Sequence, residues 1–177
     1  MQHRSWAQAL TAAVLLTLIG GADAASAKCR HAREIPTRAG VGSSSVVCAI
    51  NRQRRKHGLA PLSSQRQLRK AGGRYARDMV TRHYFSHVSP EGRTLGDRLR
   101  AIGYLSGGTY SIGEALGLGS GAAGTPASTA KAWMHSPPHR ALLLSPAFRE
   151  IGVGVMPGSP LGGAGAITYV AELGARG

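Results

Sequence analysis

Acidic residues are scarce in this sequence. It has 8 Asp and Glu against 22 Lys and Arg, which gives a formal net charge of +14 over 177 residues. Such a surface attracts nucleic acid, anionic lipid or an anionic polymer of the cell envelope. Aromatic residues make up only 5% of the chain, whereas nucleic-acid binding usually uses stacking aromatics or a recognisable module. We therefore expect an anionic envelope polymer or lipid surface as partner rather than nucleic acid; a merely solvated basic face is the alternative.

Cysteine is limited to Cys29 and Cys48, too far apart for a C-x-x-C redox or metal pair. Residues 9–19 form an apolar run broken only by two threonines, and small residues follow it. This pattern predicts a cleavable secretory signal over 1–27, with an uncleaved membrane anchor as the alternative, and no later segment has the length of a membrane span. We expect a secreted protein of the periplasm, cell envelope or extracellular space. An oxidising compartment then favours a Cys29–Cys48 disulfide, which would tie a leader over 28–45 to a single domain over 46–177.

Several catalytic motifs are missing. The chain has no G-x-S-x-G nucleophile elbow and no H-E-x-x-H zinc motif. Residues 117–122 match G-x-G-x-x-A, but no acidic residue follows about twenty positions later, which argues against a dinucleotide site. The histidine pairs 83/87 and 135/139 have i, i+4 spacing, but a helix end and two prolines, respectively, disrupt the helical geometry that would join them.

Helical and strand patterns alternate along the chain. Thr94 with Asp97, and Ser64 with Gln67, form capping-box patterns, and Thr125 before Pro126 is a favourable helix start. We predict helices over 44–57, 64–83, 94–103 and 125–134, and strands over 110–118, 151–155 and 167–173. The glycine pair at 72–73 weakens the second helix unless a close packing neighbour requires the missing side chains.

The most informative stretch is 133–155, WMHSPPHRALLLSPAFREIGVGV. Pro137 and Pro138 are predicted to end a helix just before His139, and Glu150 to begin a glycine-flanked strand. In a chain with so few acids, a carboxylate beside an apolar strand is a candidate for function. His139 and Glu150 are therefore the first candidate site residues.

Four segments, in order, resemble a known family. NRQRRKHGLAPL at 51–62, YFSHVSPEG at 84–92, GEA at 113–115 and the stretch from 133 to 154 are similar to motifs of the CAP superfamily, in its bacterial single-domain branch. The family includes cysteine-rich secretory, antigen 5 and pathogenesis-related proteins, and the resemblance runs from 46 to 174. It implies an α+β fold, a three-layer α-β-α sandwich with a central, mainly antiparallel sheet.

The resemblance also implies a surface cleft. By motif, His87, Glu114 and His139 occupy cleft positions, and Glu150 is expected near them. Two departures weaken the match: Ser136 stands where many relatives have a glutamate, and Ala115 replaces the usual asparagine.

Two kinds of chemistry fit these residues. Neutral imidazoles of His87 and His139 suit a divalent metal such as zinc, with water completing an open, weak site, and no other cofactor is expected. Alternatively, Glu114 fixes the tautomer of one imidazole and makes it a general base, so that His87, Glu114, His139 and Glu150 are the catalytic candidates. A third interpretation is a polar network that only braces the cleft.

No nucleophile or oxyanion hole is evident, although Ser86 and Ser89 flank His87. The family resemblance implies sterols, fatty acids or other small lipids as ligands. We therefore favour a secreted binding module over a metal- or His/Glu-dependent hydrolase of protease type, and catalysis stays an open question at this point.

Overall fold

The computed structural model describes residues 29–177, so the predicted signal peptide lies outside the described part of the chain. This part of the chain contains five helices and four strands. The helices are α1 (Ala39–Lys56), α2 (Arg66–Arg82), α3 (Leu95–Ala101), α4 (Pro126–His135) and α5 (Pro137–Leu143), and the strands are β1 (Ser63–Ser64), β2 (Tyr110–Ser120), β3 (Glu150–Pro157) and β4 (Ala166–Arg176). A short 3₁₀ turn, Gly121–Gly124, joins β2 to α4.

The strands form one sheet in the order β1-β3-β4-β2. The short β1 runs parallel to β3, and the other two pairings are antiparallel. The central strand β4 is buried along nearly its whole length. Strand β2 lies at an edge, and Glu114 of β2 is directly opposite Glu172 of β4.

Helices cover both faces of the sheet. One face packs against α1, α4 and α5 around a core that includes Val46, Trp133 and Tyr169. The other face packs against α2 and α3 through two smaller clusters around Leu68 and Met79. The predicted three-layer α-β-α sandwich with a mainly antiparallel sheet is therefore confirmed.

Glycine permits α2 to lie directly on the sheet. A Cβ on Gly72 would come within 2.8 Å of the Val170 carbonyl oxygen and 3.0 Å of the Gly154 nitrogen, whereas a Cβ on Gly73 would meet nothing within 4 Å. The sequence pattern left helix α2 in doubt unless a neighbouring element packed closely against the glycine pair. The sheet backbone is that neighbour, and it packs against Gly72 rather than Gly73. Close approach at Gly72 explains a residue of low helix propensity inside a helix.

The disulfide between Cys29 and Cys48 joins the segment before α1 to the middle of that helix. Two further bonds hold the segment: the Ser45 hydroxyl donates to the Arg30 carbonyl at 2.7 Å, and the Ala127 amide donates to the Ala32 carbonyl at 2.7 Å. Within residues 29–177 no helix is both long and apolar enough to cross a membrane.

Three helix boundaries differ from the prediction. Helix α1 begins at Ala39, ahead of the predicted start at 44. Ser64 belongs to β1, where it pairs with Ile151, so the side chain that caps α2 is Gln65, which accepts from the Leu68 amide at 3.1 Å.

The third difference concerns the two prolines. Pro137 and Pro138 begin α5 rather than only ending α4, because the first turn of a helix needs no amide hydrogen from them. His139 therefore lies in the first turn of α5.

Candidate functional site

The candidate cleft is built on the edge strand β2. Glu114 lies in the middle of this strand, and its side chain is only 3% exposed. The loop that follows α2 brings His87 over it, and the Nδ1 atom of His87 lies 2.7 Å from Oε1 of Glu114. A carboxylate can only accept, so Nδ1 carries the hydrogen and Nε2 is left free. The His87 side chain is 57% exposed.

Glu114 changes the acid–base behaviour of His87. Its hydrogen bond and its charge raise the pKa of His87 above the ordinary value of 6.5, while partial burial and the nearby Arg98 act in the opposite direction. The carboxylate favours the imidazolium and fixes the tautomer of the neutral ring.

Arg98 of α3 positions both members of this pair. One guanidinium nitrogen makes an ion pair with Oε2 of Glu114, and the other donates to the His87 carbonyl at 3.0 Å. The guanidinium lies over the ring of Tyr75, 3.4 Å from the ring centre. Tyr75 in turn donates to the Ser86 carbonyl at 2.7 Å, so α2 and α3 together hold the loop that carries His87.

His139 approaches from α5 and is half-buried. Burial lowers the pKa of His139, and the charge of His87 lowers it further, so the two rings are close enough for their charges to interact. The lowered pKa favours the neutral form of His139, which is the form that binds metals.

Glu150 forms a separate group. It accepts from the Tyr104 hydroxyl at 2.6 Å and pairs with Arg176 at 3.1 Å. In the sheet, Glu150 of β3 is paired with Gly174 of β4. Glu114 belongs to β2, the other neighbour of β4, and is paired with Glu172. Of the four predicted site residues, the structure thus joins His87 to Glu114, brings His139 near them, and gives Glu150 other partners.

Two site residues were missed from the sequence, Arg98 and Glu172. Arg98 is one of many cations in the chain, and nothing in its local sequence distinguishes it. Glu172 was detectable, because it is a lone carboxylate in an apolar strand, the same signal that selected Glu150. Its side chain is fully buried beneath the cleft.

The donor set limits what the cleft can hold. Among the residues that the structure describes, no three His, Cys, Asp or Glu side chains converge into a metal-binding group. A metal at His87 and His139 would have two protein ligands and otherwise water. The neighbouring serines do not complete a hydrolytic site: Ser86 and Ser89 accept from the backbone amides of Val88 and Arg93.

The model of the cysteine-rich secretory protein family, CAP, matches residues 47–172. This match covers well over half of the chain. The protein belongs to the CAP family. The family motif at 51–62 turns out to be structural: Asn51 exchanges two hydrogen bonds with the backbone of Leu62, and the buried Arg54 donates to the carbonyls of Leu143 and Ser145.

Known proteins of similar sequence and structure agree with this assignment. The uncharacterized protein YkwD of Bacillus subtilis (strain 168) is 33% identical over 134 residues, which is 75% of this chain and 49% of YkwD. This CAP chain thus spans about half the length of that curated relative. An extracellular protein containing an SCP domain from Bacillus anthracis str. Ames superposes with a TM-score of 0.63 at 26% identity, covering 76% of this chain and 40% of the other. An outer surface protein of Borrelia burgdorferi has the same fold, with a TM-score of 0.61 at 20% identity over 75% of this chain and 90% of its own.

Proposed function

We propose that this CAP protein is a secreted or surface-exposed binding module whose cleft binds a divalent metal ion through His87 and His139. The observation that carries the proposal is the bond between the exposed His87 ring and the buried Glu114, which occupies Nδ1 and leaves Nε2 as the nitrogen that could bind a metal. A histidine that donates its other ring nitrogen to a carboxylate is the usual arrangement of a metal ligand. The disulfide and the extracellular and outer-surface neighbours support the location.

The metal would be held weakly and in competition with protons. Two imidazoles leave most of the coordination sphere to water, which suits zinc or a similar borderline ion. Because the pKa of His87 is raised, protons displace the metal at mildly acidic pH, and affinity increases as His87 loses its proton.

Calorimetry with Zn²⁺ tests this proposal. His87→Ala and His139→Ala, made singly, should each weaken zinc binding at least tenfold, whereas His135→Ala on the neighbouring helix should leave it unchanged. His135 is a matched control because it is exposed and bonds only to the Lys131 carbonyl. Equal affinity in all four proteins would exclude the cleft as the metal site.

A hydrolase has less support in this geometry. Ser86 and Ser89 have backbone partners rather than His87, and no other hydroxyl is bonded to that ring among the described residues. The cleft therefore presents a base without a protein nucleophile. Cleavage of a broad peptide library by the wild type, lost in His87→Ala, would reverse this preference.

The basic surface supports attachment to an anionic envelope polymer. Five exposed cations lie within 12 residues of α2, and no ion pair in the described part of the chain includes any of them; they are Arg66, Arg69, Lys70, Arg74 and Arg77. They extend over about 16 Å of helix. A polymer with regularly spaced negative charges would release counterions along this face, so binding should be strongly salt-dependent.

Polyglycerol phosphate is a suitable probe for this face. Replacing Arg66, Lys70 and Arg74 by Gln should reduce the slope of log affinity against log salt. Replacing Arg52, Arg55 and Lys56 of α1 by Gln removes the same charge from another helix and should have a smaller effect. Equal losses in the two variants would indicate a response to net charge alone.

A second candidate ligand is a small lipid with an anionic head group. The segment before α1, α1 and α4 enclose a groove of about 1110 Å³. Its wall includes Ala49 and Ala130, its cations are Arg33, Arg52 and Lys131, and one carboxylate, Glu34, also lines it. A long-chain fatty acid should bind more tightly than the corresponding alcohol, and Arg52→Gln with Lys131→Gln should remove that difference. Equal binding of acid and alcohol to the wild type would argue against this ligand.

A further inference from the structure

Glu172 is a fully buried carboxyl group whose surroundings disfavour its charge. Its side chain has no exposed surface, and as an ionised carboxylate it has no hydrogen-bond donor for either oxygen among the described residues. A carboxyl group buried without donors avoids the cost of its charge by keeping its proton. As a neutral acid, Glu172 gains a donor of its own and needs only an acceptor.

Glu172 is packed against α2 and paired with β3. On the α2 side, a Cβ on Gly72 would lie 3.3 Å from Cγ of Glu172, and on the β3 side the register partner is Gly152. The charged groups that act on Glu172 are Glu114 of β2 and Arg98 of α3, and the ring of Tyr75 of α2 lies against the Arg98 guanidinium. Burial raises the pKa of Glu172 well above 4.5 and the charge of Glu114 raises it further, while Arg98 opposes both.

Glu114 is the acceptor within reach. The two residues are directly opposite each other on neighbouring antiparallel strands, so their side chains leave the sheet on the same face. Neither oxygen of Glu172 has a donor in the structure, so a hydrogen bond between the two carboxyl groups requires a proton on one of them. The terminal nitrogens of Arg98 bind Glu114 and the His87 carbonyl, and its Nε is buried without a partner and makes no hydrogen bond to Glu172.

We propose that Glu172 is a neutral carboxylic acid in the folded protein and donates a hydrogen bond to Glu114, and that it thereby positions the carboxylate that orients His87. Glu114 then accepts from three donors: the His87 ring, the Arg98 guanidinium and the Glu172 hydroxyl. A carboxylate has room for about four such bonds. This role is independent of metal binding and would hold even if no ion enters the cleft.

Infrared spectroscopy of the intact protein tests the protonation directly. At neutral pH, the difference spectrum between wild type and Glu172→Gln should contain the C=O band of one protonated carboxylic acid. Glu150→Gln is the matched control, since Glu150 lies on the same face but has Arg176 as partner, and it should remove only carboxylate bands. A Glu172→Gln spectrum that loses only carboxylate bands would overturn the proposal.

The positioning role has a separate readout in the titration of His87 by NMR. Glu172→Gln keeps a donor toward Glu114 and should leave the His87 curve in place. Glu172→Met fills a similar volume but has no hydrogen-bond donor. Glu114 then loses one of its three donors, and its negative charge acts more strongly on the His87 ring. The His87 midpoint should therefore shift upward. If Gln and Met give the same His87 midpoint as wild type, Glu172 does not position the pair. If the Met variant does not fold, Glu172→Ala, which also lacks a donor, takes its place, and a His87 midpoint equal to that of the wild type would overturn the role.

Discussion

At the residue scale, the bond between Glu114 and His87 determines how the cleft responds to pH. The carboxylate favours the protonated ring, so the pKa of His87 is raised. A raised value means that the pair stabilises the fold fully below pH 6.5 and that this contribution is lost as pH rises through the folded-state pKa. Because the ring is 57% exposed, water screens the pair and the effect on stability is small.

Glu114→Gln should bring the pKa of His87 down toward 6.5. The amide oxygen can still accept from Nδ1, but the negative charge that favours the imidazolium is gone. NMR titration of the ring measures the change. Glu150→Gln removes a carboxylate that has no bond to His87 and should leave the curve unchanged; equal shifts in both variants would mean that only net charge matters.

Glu172 adds a second pH dependence of the same sign. Its raised pKa means that the folded protein binds a proton that the unfolded chain releases above about pH 4.5. The unfolded state then binds fewer protons than the native state, so stability decreases as pH rises from 4.5 toward the folded-state pKa. The limiting slope for one proton is about 1.4 kcal/mol per pH unit.

Glu172→Gln should remove that slope. Between pH 4.5 and 6.5 the free energy of unfolding of the wild type should fall relative to the variant, because Gln does not titrate. Urea denaturation at several pH values measures this difference. Parallel curves for the two proteins would mean that Glu172 has the same charge in the folded and unfolded states.

At the scale of elements, the contact between α2 and the sheet depends on one of two adjacent glycines. Gly72→Ala would place a methyl group against the β3 and β4 backbone, which cannot move like a flexible side chain. Such overpacking costs about 1–3 kcal/mol. Gly73→Ala meets open space and should stabilise the helix by about 0.5–1 kcal/mol. Denaturation midpoints that move in the same direction for both variants would contradict this packing.

The elements were largely predictable because their signals are local. Thr94 and Asp97 form the predicted capping box, and Thr125 caps α4 before Pro126 as expected. The role of Pro137 and Pro138 was harder to predict. A proline cannot continue a helix but is favourable in the first turn of one, so the same pair can end one helix or begin the next. The distinction depends on whether the following residues pack, and Leu143 does so completely.

The site was only partly predictable, because its pairings depend on strand register. Family motifs supplied His87, Glu114 and His139. No local pattern places Glu172 opposite Glu114, and no local pattern brings Arg98 across to the loop after α2. Glu150 carries the same sequence signal as Glu172 but lies on the neighbouring strand β3, where Tyr104 and Arg176 bind it.

At the scale of the whole molecule, the disulfide connects stability to the groove beside α1. Cys29 is itself part of the groove wall, together with neighbouring residues of the segment before α1. The bridge to Cys48 holds this segment, and the Ser45 hydroxyl and the Ala127 amide donate hydrogen bonds to its backbone. The cleft around His87 has no contact of this kind with the segment, since it is supported by α2 and α3.

Replacing both Cys29 and Cys48 by Ser should therefore change fatty-acid binding in the groove but not the titration of His87. A general loss of structure would change both. The bridge spans 19 positions, and opening a loop of this length should reduce the free energy of unfolding by about 3 kcal/mol through the added freedom of the unfolded chain. Once the segment is released, fatty-acid binding in the groove should weaken as well, while the NMR titration of His87 stays as in the wild type. Reduction of the wild-type protein with dithiothreitol is the matching control and should reproduce both losses. If the His87 curve moves along with fatty-acid binding under conditions where the variant is folded, the groove and the cleft are coupled through the body of the domain rather than independent of each other.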